Sequence, residues 1–400
     1  MINKAGAQLS RSLMAIAVSL GICLILYIAL VSPLPITLLV LAIFLGLIVM
    51  GERSGGIEKI YAAMEEHKGE ALVVAGIFAL LLPLLVSGNN YLLHVVVMGG
   101  IYSIIALGLN FQLGSTGMVN FAPAAFYGTG AYTSAVLAVK FGISPWVGIL
   151  CGLFMAALLG IVFGFPALKT RGYYLSLVTI ALQVIFTLMI INTDWLGGPN
   201  GIPGIPGYEI FGFSFRRPLE ILGMRLPYQT NYFYLVFLLL SLAALAASRL
   251  YNSRIGLAWN AIEQDEIVAA TQGINLTKIK LLAFSIGAAF AGVAGALYAH
   301  YTSFIGNEDF DFNKSLVLIC MVLLGGMDNV AGVILGSLLL TIIDEKLRDF
   351  ADYRMLMYAL ILIIILIARP QGLLPKRNRK YQIKQDNNEG YNVTVTAGGK

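Results

Sequence analysis

Apolar residues along this chain fall in long blocks, separated by short polar or glycine-rich breaks. A helix rising about 1.5 Å per residue needs roughly 20 apolar residues to cross a hydrocarbon core of about 30 Å. The blocks lack strand alternation, and backbone groups in lipid must bond within their own segment, so the pattern predicts helices. Runs at about 13–31 and 36–50 come first, followed by the polar stretch 51–70. Further runs follow near 71–86, 91–111, 114–139, 145–166, 173–192, 232–248, 279–299 and 355–369, giving ten expected spans. The stretch 315–343 is interrupted at Gly325-Gly326 and reads as a re-entrant hairpin or two short helices. The expected fold class is therefore all-α: a polytopic transmembrane bundle of about ten spans plus broken or re-entrant segments. Three parts are expected: a two-span appendage over 1–70, a membrane core over 71–375, and a polar, disordered cytoplasmic tail over 376–400. Pro33-Leu34-Pro35 stands where a signal peptide would carry small residues for cleavage, so the first run is read as an uncleaved span.

Composition agrees with lipid as the solvent. Of 400 residues 58% are hydrophobic and 12% charged, and the mean hydropathy is +0.83, far from the balance of soluble domains. Putting both termini in the cytoplasm places 18 of the 26 Lys and Arg on that side, as the positive-inside rule asks. The net charge of +5 is accounted for by these flanking residues and implies no nucleic acid.

One segment breaks the apolar pattern. SRIGLAWNAIEQDEIVAATQGIN, residues 253–275, has helical periodicity yet is too polar to enter the membrane. Trp259, Ile262, Glu266, Ala269, Ala270 and Gly273 share one mixed face, while Glu263, Gln264 and Asp265 point elsewhere. Gly273 is placed to end the helix in a left-handed conformation, and Asn275 or Thr277 to cap the next span. One or two short helices beneath the membrane are expected. Anionic lipid headgroups would repel the acids, so a protein partner fits this face better than the membrane lipid that surrounds the spans.

Several motifs in a fixed order carry a resemblance. RIGLAWNAIEQDEIVAATQGINLTKIKLLAFSIGAAFAGVAGALYAHY, VLLGGMDNVAGVILGSLLL and RPQGLLP follow GLNFQLGSTGMVNFAPAAFYGTGAY, FPALKTRGYYLSLVTIALQ and GGPNGIPGIP. Together, over about residues 90–375, they resemble the permease subunits of bacterial ABC importers for branched-chain amino acids, of the larger type with an extra N-terminal segment. The resemblance implies an inner-membrane assembly with a second permease subunit, two cytoplasmic ATPase subunits and a periplasmic or extracellular solute-binding protein. It also implies that residues 253–275 form the coupling loop seated in an ATPase groove. Arg254, Gly256, Trp259, Ile262, Glu263, Asp265, Glu266, Ala269, Ala270 and Gly273 are the residues so assigned, with Trp259, Ile262 and the acids as contacts. The family commonly has arginine where this chain has Leu257 and glutamate where it has Asn260, so the pairings made there differ.

The translocation path is sought where helices break, because backbone at membrane depth is tolerated only when it faces protein or a cavity. GSTGMVNFAPAAFYGTGAY (114–132) and GGMDNVAGVILG (325–336) are two such places. Gly114, Thr116, Gly117, Asn120, Phe121, Tyr127, Gln183, Gly325 and Gly326 are the expected path residues, although small residues also serve close helix packing. Asn110, Gln112, Thr116, Asn120 and Gln183 together suggest a weakly polar conduit. Family members sometimes carry Glu at the position of Gln183. The spans hold almost no Asp, Glu, Lys or Arg, which argues against proton or ion coupling. The loop 193–231 and the acidic GNEDFDF at 306–312 are expected to dock the binding protein or to form an ordered cap.

No enzyme is expected. The chain has no G-x-x-x-x-G-K-[ST] phosphate loop, so ATP would be hydrolysed by partners. His67, His94 and His300 lie apart and read as surface or interface residues, and Cys23, Cys151 and Cys320 lack metal or disulfide spacing. No metal or cofactor is expected. The competing reading is a self-sufficient channel or secondary carrier for a small neutral solute such as urea or an amide.

Overall fold

A computed structural model of the chain describes residues 2–53, 67–86, 89–168, 173–210, 212–221 and 224–350, and scattered positions between 353 and 374. The tail 376–400, most of the polar stretch 51–70 and much of the expected last span lie outside the described residues. Thirteen α-helices are described: α1 (Ile2–Val31), α2 (Leu34–Arg53), α3 (Lys68–Leu85), α4 (Asn90–Leu113), α5 (Pro123–Phe141), α6 (Pro145–Ala167), α7 (Tyr173–Ile191), α8 (Gln229–Tyr251), α9 (Arg254–Gln264), α10 (Glu266–Thr271), α11 (Leu276–Thr302), α12 (Phe312–Gly325) and α13 (Val330–Lys346). Among the described residues α1, α4, α6, α7, α8 and α11 are long and apolar enough to cross a membrane.

α11 is the hub, packed on α4, α5 and α6. Small residues let the backbones meet: a Cβ on Gly130 would stand 2.1 Å from the Gly292 carbonyl, and one on Gly108 2.6 Å from that of Gly287. Without a strong hydrophobic drive between helices in lipid, such close approach supplies the packing energy. α1 lies against α3 and α13, and Ala29 and Leu30 pack with Val86, Leu93 and Ile342.

The expected span 114–139 is corrected at its start. Residues 114–122 are not helical, and α5 begins at Pro123. Proline suits a first helical position, and Gly117 turns the chain with φ +66°. The stretch 315–343 divides into α12 and α13 around a tight turn at 326–329, the two-helix alternative of the sequence reading.

The long loop after α7 is an ordered cap. Ile202–Pro203 (β1) pairs antiparallel with Phe304–Ile305 (β6), and two small hairpins, Glu209–Ile210 with Phe213–Ser214 and Leu219–Ile221 with Met224–Leu226, fill the rest. His300, expected at a surface, is instead wholly buried under this cap. Its Nδ1 donates to the Pro206 carbonyl at 2.6 Å, which leaves Nε2 to accept from Ser134 Oγ at 2.7 Å. Tyr208 packs among Trp146, Tyr232 and His300, and its hydroxyl donates to the Ala296 carbonyl. Burial pushes that phenol well above its ordinary range, so it remains a donor.

Candidate functional site

The polar segment 253–275 forms two short helices, and the caps follow from the sequence. Ser253 accepts from Gly256 N at the start of α9. Asp265 ends α9 and caps α10, its Oδ1 accepting from Ile267 N at 2.8 Å and Val268 N at 3.0 Å. Gly273, with φ +83°, closes α10, and Asn275 caps α11 by accepting from Lys278 N.

The orientation of this segment differs from expectation. Trp259 is 0% exposed and Ile262 1%, so both face their own chain and neither offers an outer contact. The indole ring lies 5.4 Å from that of Phe111, and Nε1 donates to the Ile279 carbonyl at 2.9 Å. A large apolar side chain with one donor is best satisfied inside, where both needs are met. Gly256 and Ala269 are also buried, whereas Arg254, Glu263, Asp265, Glu266, Ala270 and Gly273 are exposed. Glu266 forms an ion pair with Lys280 on α11. Two residues that sequence reasoning passed over dominate the outer face: Ile267 is 77% exposed and Val268 54%. The available signal was an adjacent apolar pair two residues after a capping aspartate.

From Trp259 a continuous set of contacts runs inward to both helix breaks. Phe111, Tyr251 and Met118 pack with Trp259, and a Cβ on Gly117 would lie 3.8 Å from Glu263 Cγ. Next to Phe111, Asn110 Nδ2 donates to Tyr251 Oη at 2.6 Å while its Oδ1 accepts from Asp328 N at 2.9 Å. Ser115 donates to Asp328 Oδ1 at 2.7 Å. Asn110 and Asp328 thus join the 114–122 break to the 326–329 turn. Gly114 sits inside this knot, where a Cβ would be 2.4 Å from Asn110 Oδ1.

Residues 371–374, within the C-terminal RPQGLLP, supply a strap over the second break. Leu373 N donates to the Leu324 carbonyl at 2.8 Å and Leu374 N to that of Gly325 at 3.1 Å. Gly326 has φ +106°, and a Cβ there would stand 1.9 Å from the Leu374 carbonyl, so no other residue fits. A Cβ on Gly325 would stand 2.4 Å from the Gly332 carbonyl.

Of the remaining expected path residues, Thr116, Asn120, Phe121 and Gln183 are hydrogen-bonded into the bundle. Thr116 Oγ1 bonds back to the Gln112 carbonyl at 2.7 Å, and Asn120 Nδ2 donates to Gln112 Oε1 at 2.7 Å. Phe121 N donates to Thr179 Oγ1. A void of about 10 Å³ beside Gln112 and Asn120 is bordered by Phe126, Gly287 and Ala291, room for about one water and far too small for an amino acid. Gln183 Nε2 donates to the Phe310 carbonyl at 2.7 Å, and its Oε1 accepts from Ser315 Oγ at 3.1 Å. Tyr127 belongs to an aromatic cluster at the capped end, its ring 5.0 Å from Phe310, 5.5 Å from Tyr298 and 6.5 Å from Tyr102.

Residues 91–368 match the family model described as branched-chain amino acid transport system, permease component. The chain is 37% identical over 326 residues to the high-affinity branched-chain amino acid transport system permease protein LivM of Escherichia coli K12, covering 78% of this chain and 76% of the relative. LivM of Salmonella typhimurium is 38% identical over the same shares. The high-affinity branched-chain amino acid transport system permease protein LivH of Escherichia coli K12 is 25% identical, over 70% of this chain and 92% of that protein. No solved structure matches the chain.

Proposed function

The chain belongs to the family of permease components of branched-chain amino acid transport systems, and from that membership we propose how it works in an ATP-driven importer. It supplies one half of the membrane path and pairs with a second permease of the LivH kind. One of the two ATPase subunits docks on residues 253–275, with the apolar pair Ile267 and Val268 at the centre of the contact and Glu263, Asp265 and Glu266 meeting basic groups around it. That side is cytoplasmic and holds both termini, and the membrane is the bacterial inner membrane. The cap over 192–228 receives the loaded binding protein on the opposite side. The passage opens between states or between the two permeases, since the void beside Gln112 is too small for substrate.

The single observation that carries the reading is the contact chain from Trp259 through Phe111 and Asn110 to Asp328. The coupling segment and both helix breaks act as one mechanical body, so closure of the ATPases reorients the breaks together. α11 carries the same motion into the bundle through the Glu266–Lys280 pair and the Trp259 bond. The test is co-purification of the cognate ATPases with a tagged chain. Ile267→Asp should release them while leaving the chain folded, because an exposed substitution costs the monomer within about 0.5 kcal/mol. Retention of the ATPases by this variant would remove Ile267 from the interface.

A further inference from the structure

The aromatic cluster at the capped end has features that close packing does not require. Phe310 is wholly buried between Tyr127, Tyr132 and Tyr298, yet it belongs to a four-residue turn, Asn307–Phe310, of the outer connection and not to a membrane helix. The hydroxyls of Tyr127 and Tyr132, in residues 1% and 4% exposed, have no hydrogen-bond partner among the described residues. Buried hydroxyls left so are costly, and phenylalanine would fill the same space without the cost. Charges of opposite sign flank the rings. Asp309 Oδ1 accepts from Tyr298 Oη at 2.8 Å, and Lys314 Nζ donates to Tyr102 Oη at 3.1 Å while lying 4.8 Å over that ring.

We propose that this cluster is an outer substrate site for a zwitterionic amino acid with an apolar side chain, and that Phe310 occupies the place of that side chain until the turn withdraws. The aromatic rings of Tyr102, Tyr127 and Tyr298 receive the apolar group. Asp309 faces the ammonium, and Lys314 faces the carboxylate together with the two tyrosine hydroxyls. Gln183, which holds the Phe310 carbonyl, sets the closed position of the plug. A neutral amide or urea carries no charge for Asp309 and Lys314 to meet, so the site selects against such solutes.

This rests on the importer reading, and the test separates the two. The complete complex with its ATPases and binding protein is reconstituted in liposomes, and ATP-dependent uptake of leucine is measured at saturating loaded receptor. If the wild-type complex moves no leucine, the importer reading fails. Where it does, Tyr127→Phe and Tyr132→Phe should each reduce uptake by about tenfold and the double variant by more, as expected for bonds to a charged ligand. Their melting temperatures should equal or exceed that of wild type, because each change removes only a hydroxyl without a partner. Asp309→Asn and Lys314→Met should likewise reduce uptake, with receptor-stimulated ATP hydrolysis retained. Uptake within twofold of wild type in the double tyrosine variant would overturn the proposal, as would a loss of uptake that merely follows a lower melting temperature.

Discussion

Replacing Trp259 with alanine should uncouple ATP hydrolysis from transport without dissociating the complex. The side chain is fully buried, stacks near Phe111 and gives a 2.9 Å bond to the Ile279 carbonyl. Truncating a buried Trp to Ala costs about 3–5 kcal/mol, including roughly 1 kcal/mol for the bond. Set against the docking of α9 on α4 and α11, that is on the order of a thousandfold shift towards a loosened segment. The outer face of Ile267, Val268 and Glu263 is untouched, so the ATPases should stay bound and hydrolyse ATP. The assay compares leucine uptake with ATP turnover in the same proteoliposomes, and the ratio should fall at least about tenfold. Trp259→Phe, which keeps a ring against Phe111, should stay within about threefold of wild type. Unchanged uptake by the alanine variant would refute the claim that this packing transmits force, and loss of the ATPases on purification would make Trp259 an interface anchor.

Asn110→Leu removes the shared partner of Tyr251 Oη and Asp328 N. Losing both bonds should cost about 1–3 kcal/mol, seen as a lower melting temperature and a larger loss of uptake than of ATP hydrolysis. Gly326→Ala places a methyl group against the Leu374 carbonyl at φ +106°; strain of at least about 1–3 kcal/mol should displace the C-terminal strap, read as faster protease cleavage after residue 369. Wild-type protection in that variant would show that the strap tolerates displacement.

Much of the fold was legible because the relevant signals are local. The Gly273 stop and the cap offered by Asn275 or Thr277 each depend on a few neighbouring residues, and the structure has the stop at Gly273 and the cap at Asn275. The start of α5 was misread because Met118, Val119, Phe121 and Ala122 run directly into the apolar helix, and Pro123 was the overlooked marker. Trp259 could not be oriented from sequence, since an amphipathic face with a large aromatic residue suits an inner and an outer surface equally, and Phe111 lies far away in the chain. The knot of Asn110, Ser115 and Asp328 joins residues more than 200 positions apart, and no periodicity reports such a pairing. Gln183 was noticed as a polar group in a span, but its role as the holder of Phe310 depends on the folded turn.

The central claim is that the coupling segment and both helix breaks move together against the capped end. Spin-label distances in the assembled complex, with and without a non-hydrolysable ATP analogue, test it directly. Labels at Gln264 and Met327 should keep one separation in both states, while Met327 and Trp195 should change theirs by about 5 Å, one helical turn. A shift of that size between Gln264 and Met327, with the separation from Trp195 constant, would contradict the account.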